Sequence, residues 1–428
     1  MKSAKRPVNQ SAELVIPISR WAVVGLCVAI LSPWLIVIAL LLPKNQTMES
    51  GQAVIGASDQ VDASPDSRMA DSQVSEEPSS GLLSQATITI SPPIEFIEEL
   101  DTSNVGSNWH FSRGWSAGLD ELLAGFGLDA GIREQLRQLS ESSPDGIVPV
   151  TNDVLQEIPL NVRAKVYDHL SKDVRNTDQF NAFRYCGRSV NAWFRDANLR
   201  PELIEQIKTM VYSRGPVHFF ADLRLVLPHL QSEFERVQML KVLSRESTKL
   251  VRIKVDPDTD IERLVDYWGR YGRGKDVRPI LESLALRSQG GSVDLVHLLP
   301  PFARERIYTY PGTANGNLVV KRNSHWTALN FFGETPDDRF ASIGQVGETL
   351  MNDYYPISGE PCFGDLVCLT DRNGDLFHTA VYLADEIVYT KNGHRVSRPW
   401  MLLSIDEMIH YYPRAEPPMI RYFRRKDS

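Results

Sequence analysis

The carboxyl-terminal quarter of the chain contains a hydroxyl and an imidazole in settings where covalent chemistry can occur. Ser324 stands in "KRNSHWTALNFFG", a segment with the pattern of a helix start, and His378 stands in "LFHTAVYLAD". A hydroxyl becomes a nucleophile when an imidazole within hydrogen-bond reach takes its proton. Serine is also a preferred helix N-cap, and here it would bind the N–H of Thr327. Ser324 is therefore a working nucleophile, a relic or a cap, and His378 alone fits a core position equally well.

The four cysteines, Cys27, Cys186, Cys362 and Cys368, lack the paired spacing of a zinc site, so no metal or other cofactor is predicted. Cys186 and Cys368 stand among apolar residues and fit core positions. Cys362, in the loop "GEPCFGD", is the alternative nucleophile, and a disulfide between Cys362 and Cys368 stays open. His325 is expected to be an exposed first-turn residue and not a base for Ser324, because adjacent side chains on a helix point in different directions.

The segments around these residues predict a helix followed by an antiparallel sheet. "HWTALNFF" has the pattern of a helix start, and "GDLVCLTD", "LFHTAVYLAD" and "EIVYTKNG" have the pattern of consecutive strands. The turn signals "DRNGD" and "AD" separate these strands. Residues 312–428 are therefore predicted to form an α+β module.

The order of this helix start, "GDLVCL" and "HTAVYLADEIVYTKNG" resembles the NlpC/P60 cell-wall peptidases, which are papain-like cysteine hydrolases. The resemblance covers about residues 318–425, and "GDLV…HTAVYLAD" is its most specific part. In that family a cysteine at a helix start is the nucleophile, and a histidine opens a later strand. A polar residue on the following strand orients the histidine. The helix dipole and the first-turn N–H groups assist the thiolate and the oxyanion.

The resemblance implies site residues for this chain. The nucleophile position falls on Ser324, or on Trp326 in an alternative register, and the histidine position falls on His378. The third position falls on Tyr389, or on Asn392, since an asparagine orients the imidazole in papain-like enzymes. No cysteine stands at the helix start, so the leading hypothesis is a degenerate module that binds a peptide, a cell-wall (peptidoglycan) fragment or a partner protein without cleaving it. The alternatives are an active serine-variant peptidase or amidase that uses Ser324 and His378, and a helical interaction scaffold.

Residues 93–311 are predicted to form an all-α domain. Segments such as "GLDELLAGFGLDAGIREQLRQL", "EFERVQMLKVLSRES" and "DIERLVDYWGRYGRG" repeat apolar residues at intervals of three and four. Several of them end at glycine, which readily adopts the left-handed conformation that follows many helices. Short joints between such helices predict a bundle.

The amino-terminal part is predicted to anchor the protein in a membrane. Residues 21–42 contain no charged side chain, over a length sufficient to cross a hydrocarbon layer of about 30 Å. Basic residues concentrate before this span, which predicts a cytoplasmic tail at 1–20 and a periplasmic location for the rest of the chain. The polar residues 43–92 are predicted to form a disordered linker. The predicted fold class is thus α+β: a transmembrane helix, a linker, an all-α middle domain and a papain-like module. The net charge of −8 argues against a nucleic-acid partner.

Overall fold

The computed structural model describes residues 82–98, 108–187, 189–314, 317–318, 322–393, 395–412 and 417–426. The predicted cytoplasmic tail (1–20), the predicted membrane span (21–42) and most of the predicted linker lie outside these residues. No helix within the described ranges has the length and apolarity needed to cross a membrane. This finding contradicts the membrane-anchored architecture predicted above, and the periplasmic location stays a prediction.

The described chain alternates short helices and strands. The α-helices are α1 (Ile94–Glu98), α2 (Ala117–Phe126), α3 (Ala130–Ser140), α4 (Asn152–Glu157), α5 (Leu160–Leu170), α6 (Thr177–Phe180), α7 (Val190–Trp193), α8 (Pro201–Lys208), α9 (Leu223–Val226), α10 (Glu233–Leu243), α11 (Ile261–Trp268), α12 (Gly274–Ala285), α13 (Pro301–Arg306), α14 (Ser324–Leu329), α15 (Ile343–Asp353) and α16 (Ile405–His410). Short 3-10 helices lie at Leu227–His229, Leu295–Leu298 and Asp338–Ala341.

The strands are β1 (Leu82–Ile90), β2 (Asn108–His110), β3 (Ile147–Pro149), β4 (Phe183–Cys186), β5 (Tyr212–Arg214), β6 (Val217–Phe220), β7 (Glu246–Val255), β8 (Gly291–Asp294), β9 (Thr313–Ala314), β10 (Asn317–Leu318), β11 (Tyr354–Ile357), β12 (Leu366–Thr370), β13 (Leu376–Ala384), β14 (Ile387–Lys391), β15 (Trp400–Ser404) and β16 (Met419–Arg425).

The middle of the chain is mixed α/β, so the all-α prediction for residues 93–311 is wrong. Strands β4, β6 and β5 form one small sheet, β2 pairs with β3, and β7 lies between β1 and β8. Most of the missed strands have only three or four residues, and in "VHFF" of β6 all four residues are buried. Such a run shows no apolar–polar alternation, so its periodicity does not distinguish a strand from a helical turn.

The long strand β7 was missed because its start follows directly on a helix. The segment "EFERVQMLKVLSRES" was predicted as one helix, whereas helix α10 ends at Leu243 and β7 begins at Glu246. Strand β1 pairs antiparallel with β7 from Leu82↔Lys254 to Ile90↔Glu246. The prediction of disorder is therefore wrong for residues 82–90, because a strand distant in sequence supplies the hydrogen-bond partners of β1.

The carboxyl-terminal region contains a six-stranded sheet with the order β11-β16-β12-β13-β14-β15. Every neighbouring pair in this sheet is antiparallel. The three predicted strands are its centre, β12, β13 and β14, whereas β11, β15 and β16 were not predicted. Helix α14 packs on one face, and α16 follows the edge strand β15.

A buried polar cluster joins this sheet to the middle of the chain. The Glu246 carboxylate, at the start of β7, forms an ion pair with Arg398 and accepts a hydrogen bond from the Tyr411 hydroxyl. The Thr248 hydroxyl contacts both backbone groups of Leu402 in β15, the N–H at 2.9 Å and the carbonyl at 3.0 Å. Since these groups are buried, their pairing fixes the edge of the sheet against β7.

Candidate functional site

The N-cap of helix α14 is Asn323, one residue before the predicted cap, Ser324. The Asn323 side chain accepts the N–H of Trp326 at 2.9 Å, and the Asn323 carbonyl accepts the hydroxyl of Thr327 at 2.8 Å. Ser324 is the first helical residue and is 4% exposed. The capping role considered for Ser324 therefore belongs to Asn323.

The His378 imidazole is fully buried and both of its ring nitrogens have hydroxyl partners. The Tyr412 oxygen lies 2.6 Å from Nδ1, and the Thr390 oxygen lies 2.9 Å from Nε2. Burial, with a smaller contribution from His325, lowers the pKa of His378 to about 3. The ring is thus neutral at pH 7, and neither nitrogen is directed at Ser324.

The central sheet separates His378 from helix α14. One face, called the helix face, shares a core with α14: Trp326, Phe331, Val381, Tyr389 and Leu402. The other face, called the histidine face, contributes to a separate core: Leu369, Ala380, Val388, Met401 and Leu403. Because side chains alternate along a strand, His378 shares a face with Ala380, whereas Thr379 shares the helix face with Val381. The structure therefore does not bring Ser324 and His378 together.

The third predicted positions are divided in the same way. Tyr389 lies on the helix face, packs against Phe331 with ring centroids 5.3 Å apart, and its hydroxyl has no hydrogen-bond partner among the described residues. Asn392 lies on the histidine face, where Tyr412 donates to its Oδ1 at 3.5 Å. Asn392 thus reaches the His378 ring only through Tyr412. The group that contacts Nε2 directly is Thr390, which shares a strand face with Asn392 and was not predicted.

The helix face carries a second set of polar residues that the sequence analysis did not assign. Nδ1 of His325 lies 2.8 Å from the Thr379 hydroxyl, and that hydroxyl lies 4.0 Å from the sulfur of Cys368. Burial lowers the pKa of His325 to about 4. The expected exposure of His325 is wrong, because residues 324–328 are all buried, with Trp326 packed against Phe302 at 5.2 Å.

Lys391 also lies on the helix face, where it is fully buried. Its ammonium donates to the carbonyl oxygens of Gly393 and Arg395 at 2.8 and 2.9 Å. Burial lowers the pKa of Lys391 to about 7. The side chain therefore fastens the segment that follows β14 rather than approaching Ser324.

Cys362 is placed among charged groups but is not activated. Its sulfur accepts from Arg270 at 2.5 Å and from Arg424 at 3.0 Å, and Arg424 also pairs with Asp365. Burial and the Asp365 charge raise the pKa of Cys362 to about 11, against the effect of the two arginines. Cys362 is thus a thiol at pH 7, and both it and Cys368 are free, so they do not form the disulfide that the sequence left open.

A cavity of ≈ 640 Å³ lies beside the histidine face, between residues 171–184 and the carboxyl-terminal sheet. The ring of Tyr412 lines this cavity while its hydroxyl contacts the buried His378. Asn392 and Arg395, from the end of β14 and the segment after it, line the same cavity. The cavity is called the arginine pocket below, because it is also lined by Arg184, Arg372 and Arg398.

Within the described ranges, no group of three histidine, cysteine, aspartate or glutamate residues is placed to hold a metal ion. No protein-family model, curated protein or solved structure matches the chain.

Proposed function

We propose that this chain is a non-catalytic binding protein whose carboxyl-terminal module binds a peptide or a cell-wall peptide fragment, free or as part of a partner protein, without cleaving it. The resemblance of "GDLV…HTAVYLAD" to the NlpC/P60 peptidases supports the class of ligand. The observation that carries the absence of turnover is the placement of His378, which lies on the opposite face of the sheet from α14 and has both ring nitrogens occupied.

Hydrolysis by Ser324 requires a base within hydrogen-bond reach of its hydroxyl. His378 is not a suitable base because it lies on the opposite face of the sheet from Ser324. Its pKa of about 3 also makes it a weak proton acceptor. His325 directs its Nδ1 to Thr379, and Lys391 directs its ammonium to two carbonyl oxygens. Nδ1 of His325 and the Lys391 ammonium are therefore engaged in other contacts, and binding is the activity that this geometry supports best.

The test uses the full-length protein, the variants Ser324→Ala and Ser324→Cys, and soluble cell-wall peptide fragments. We expect calorimetric titration to detect binding by all three proteins, and chromatography to detect no cleavage by any of them. Ser324→Cys supplies the thiol of the resembled family, so its inactivity in a variant with native circular dichroism would match the separation of the two faces. Cleavage by the wild type that is lost in Ser324→Ala, or cleavage gained by Ser324→Cys, would overturn the proposal, as would the absence of any binding.

A further inference from the structure

We propose that the arginine pocket is the binding site and that it holds the carboxylate end of the ligand, with the adjoining ligand atoms packed on aromatic side chains. This inference rests on the proposed function for the identity of the ligand as a peptide. The pocket itself is argued from charge, burial and shape.

The charges lining the pocket are strongly unbalanced. Lys172 and four arginines line it, whereas Asp371 supplies the only carboxylate among the described lining residues. Arg398 is already paired with Glu246. A concave surface with this excess of positive charge attracts anions and concentrates them near the guanidinium groups.

Arg184 and Arg395 are the two guanidinium groups best placed to hold an anion. Nε of Arg184 is buried and has no hydrogen-bond partner within the described part of the chain. One terminal nitrogen of Arg184 donates to the Phe180 carbonyl at 3.2 Å, and its guanidinium lies 5.5 Å from the Tyr411 ring centre. Arg395 is half-buried. Neither guanidinium forms an ion pair with a carboxylate of the described residues.

These cations also repel one another. Burial and the Arg398 charge lower the pKa of Arg184, and burial and the Arg184 charge lower the pKa of Arg395. Holding like charges close together in a partly buried site is unfavourable unless an opposite charge lies between them. A bound carboxylate would accept the unused N–H groups and offset this repulsion, and arginine matches the planar carboxylate in geometry.

The remaining walls fit the end of a peptide. The rings of Phe180, Phe377 and Tyr412 provide apolar surface, and the amide of Asn392 belongs to the wall, where it contacts Tyr412 and Met401. A volume of ≈ 640 Å³ lies within the usual range for small-ligand sites and suits a few residues rather than a long polymer.

Lys391 fixes one wall of the pocket from the opposite side of the sheet. Its ammonium binds the carbonyl oxygens of Gly393 and Arg395, two residues that line the pocket. The Arg395 side chain is thus presented by a backbone segment that is held in place before any ligand arrives, which reduces the entropy lost on binding.

The experiment titrates the full-length protein with three probes: acetyl-alanyl-alanine, the same dipeptide with a carboxyl-terminal amide, and inorganic phosphate. Binding is followed by calorimetry and by the shift of the unfolding temperature. The variants are Arg395→Gln and Arg184→Gln, and the matched control is Arg339→Gln, which removes a largely exposed arginine outside the pocket. Circular dichroism checks the fold of each variant, and Arg395→Lys tests whether charge alone suffices.

We expect the carboxylate dipeptide to bind the wild type and Arg339→Gln equally. Arg395→Gln, and the amide probe with the wild type, should each weaken binding about 10- to 100-fold, because a charge-assisted hydrogen bond is lost. Equal binding of the acid and amide probes, or no binding of any probe to the wild type, would overturn the inference.

Two further outcomes separate the pocket from the proposed function. Phosphate binding that depends on Arg395, without dipeptide binding, would support an oxyanion pocket and overturn the peptide ligand. Dipeptide binding that is unchanged in both Arg395→Gln and Arg184→Gln would overturn the pocket and leave peptide binding elsewhere on the chain.

Discussion

The phenol oxygen of Tyr412 lies 2.6 Å from Nδ1 of His378, so a residue that lines the arginine pocket also satisfies a buried imidazole of the sheet. Thr390 satisfies the other ring nitrogen. The imidazole therefore contributes to the fold as a neutral, fully paired group, and its removal should be visible in stability rather than in chemistry.

Acid stability should depend on His378. Its pKa is about 3 when folded against an ordinary value of 6.5, so between these values the unfolded chain binds a proton that the folded chain does not. Stability therefore falls as the pH drops from 6.5 toward 3, by up to about 1.4 kcal/mol per pH unit from this group. Urea unfolding at several pH values should show a shallower acid slope for His378→Gln. The exposed His297→Gln is the control, and identical slopes for His378→Gln and the wild type would contradict this assignment.

The partly buried Tyr412 and the buried Tyr389 should respond differently to loss of the hydroxyl. Tyr412→Phe leaves Nδ1 of His378 without its partner, and we expect a loss of about 1–3 kcal/mol in the free energy of unfolding. Tyr389→Phe removes a buried hydroxyl that has no partner among the described residues, so its stability should be unchanged or higher. Chemical denaturation of the two variants side by side checks the difference, and the reverse order would mean that the hydrogen bonds are misassigned.

Lys391 should make stability rise with pH above neutrality. The folded pKa is about 7 and the ordinary value is 10.5, so in this interval the unfolded chain holds one proton more than the folded chain. Each pH unit then adds up to about 1.4 kcal/mol, while below about pH 7 both states are protonated and the contribution is constant. Lys391→Met should remove the rise between pH 7 and 10.5. Lys254→Met, at an exposed position of β7, should retain it, and a rise that persists in Lys391→Met would argue against this origin.

Asn323 rather than Ser324 should carry the capping energy of α14. Asn323→Ala removes the acceptor for the Trp326 N–H, and loss of such a cap costs about 0.5–2 kcal/mol. Ser324→Ala should lower the stability less, because the Trp326 N–H keeps its acceptor on Asn323. Thermal unfolding of both single variants gives the comparison, and a larger loss for Ser324→Ala would return the cap to the predicted residue.

The sequence predicted the strands that have a clear local pattern, but it did not show which residues lie on which face of the carboxyl-terminal sheet. The predicted strands β12, β13 and β14 are present, since each is a compact β-rich run between turn signals. All residues of β12 and β14 are buried, however, as are residues 378–384 of β13. A strand buried on both sides shows no polar face, so the sequence did not reveal which side α14 covers.

Other features depend on residues that are distant in sequence. The pairing of β1 with β7 joins Leu82 to Lys254, and composition alone suggested disorder for β1. The arginine pocket combines Arg184 of β4 with Arg395 and Arg398 near the end of the chain. Tyr412 lies beyond α16, where no sequence pattern links it to His378. The cap was displaced by a single position, which is the usual uncertainty of helix ends.

The pairing of β12 with β13 contains an irregularity that helps to decide which side of the sheet His378 faces. Leu369 pairs with His378 while the next residue, Thr370, pairs with Leu376, so Phe377 is an extra residue in a β-bulge immediately before the imidazole. Since successive residues point to opposite sides, sliding β13 by one position would exchange His378 with Thr379 and turn the imidazole toward the first turn of α14. The side of the sheet on which this imidazole lies is therefore set by the strand register and its bulge, and not by the residues of "HTAVYLAD" alone.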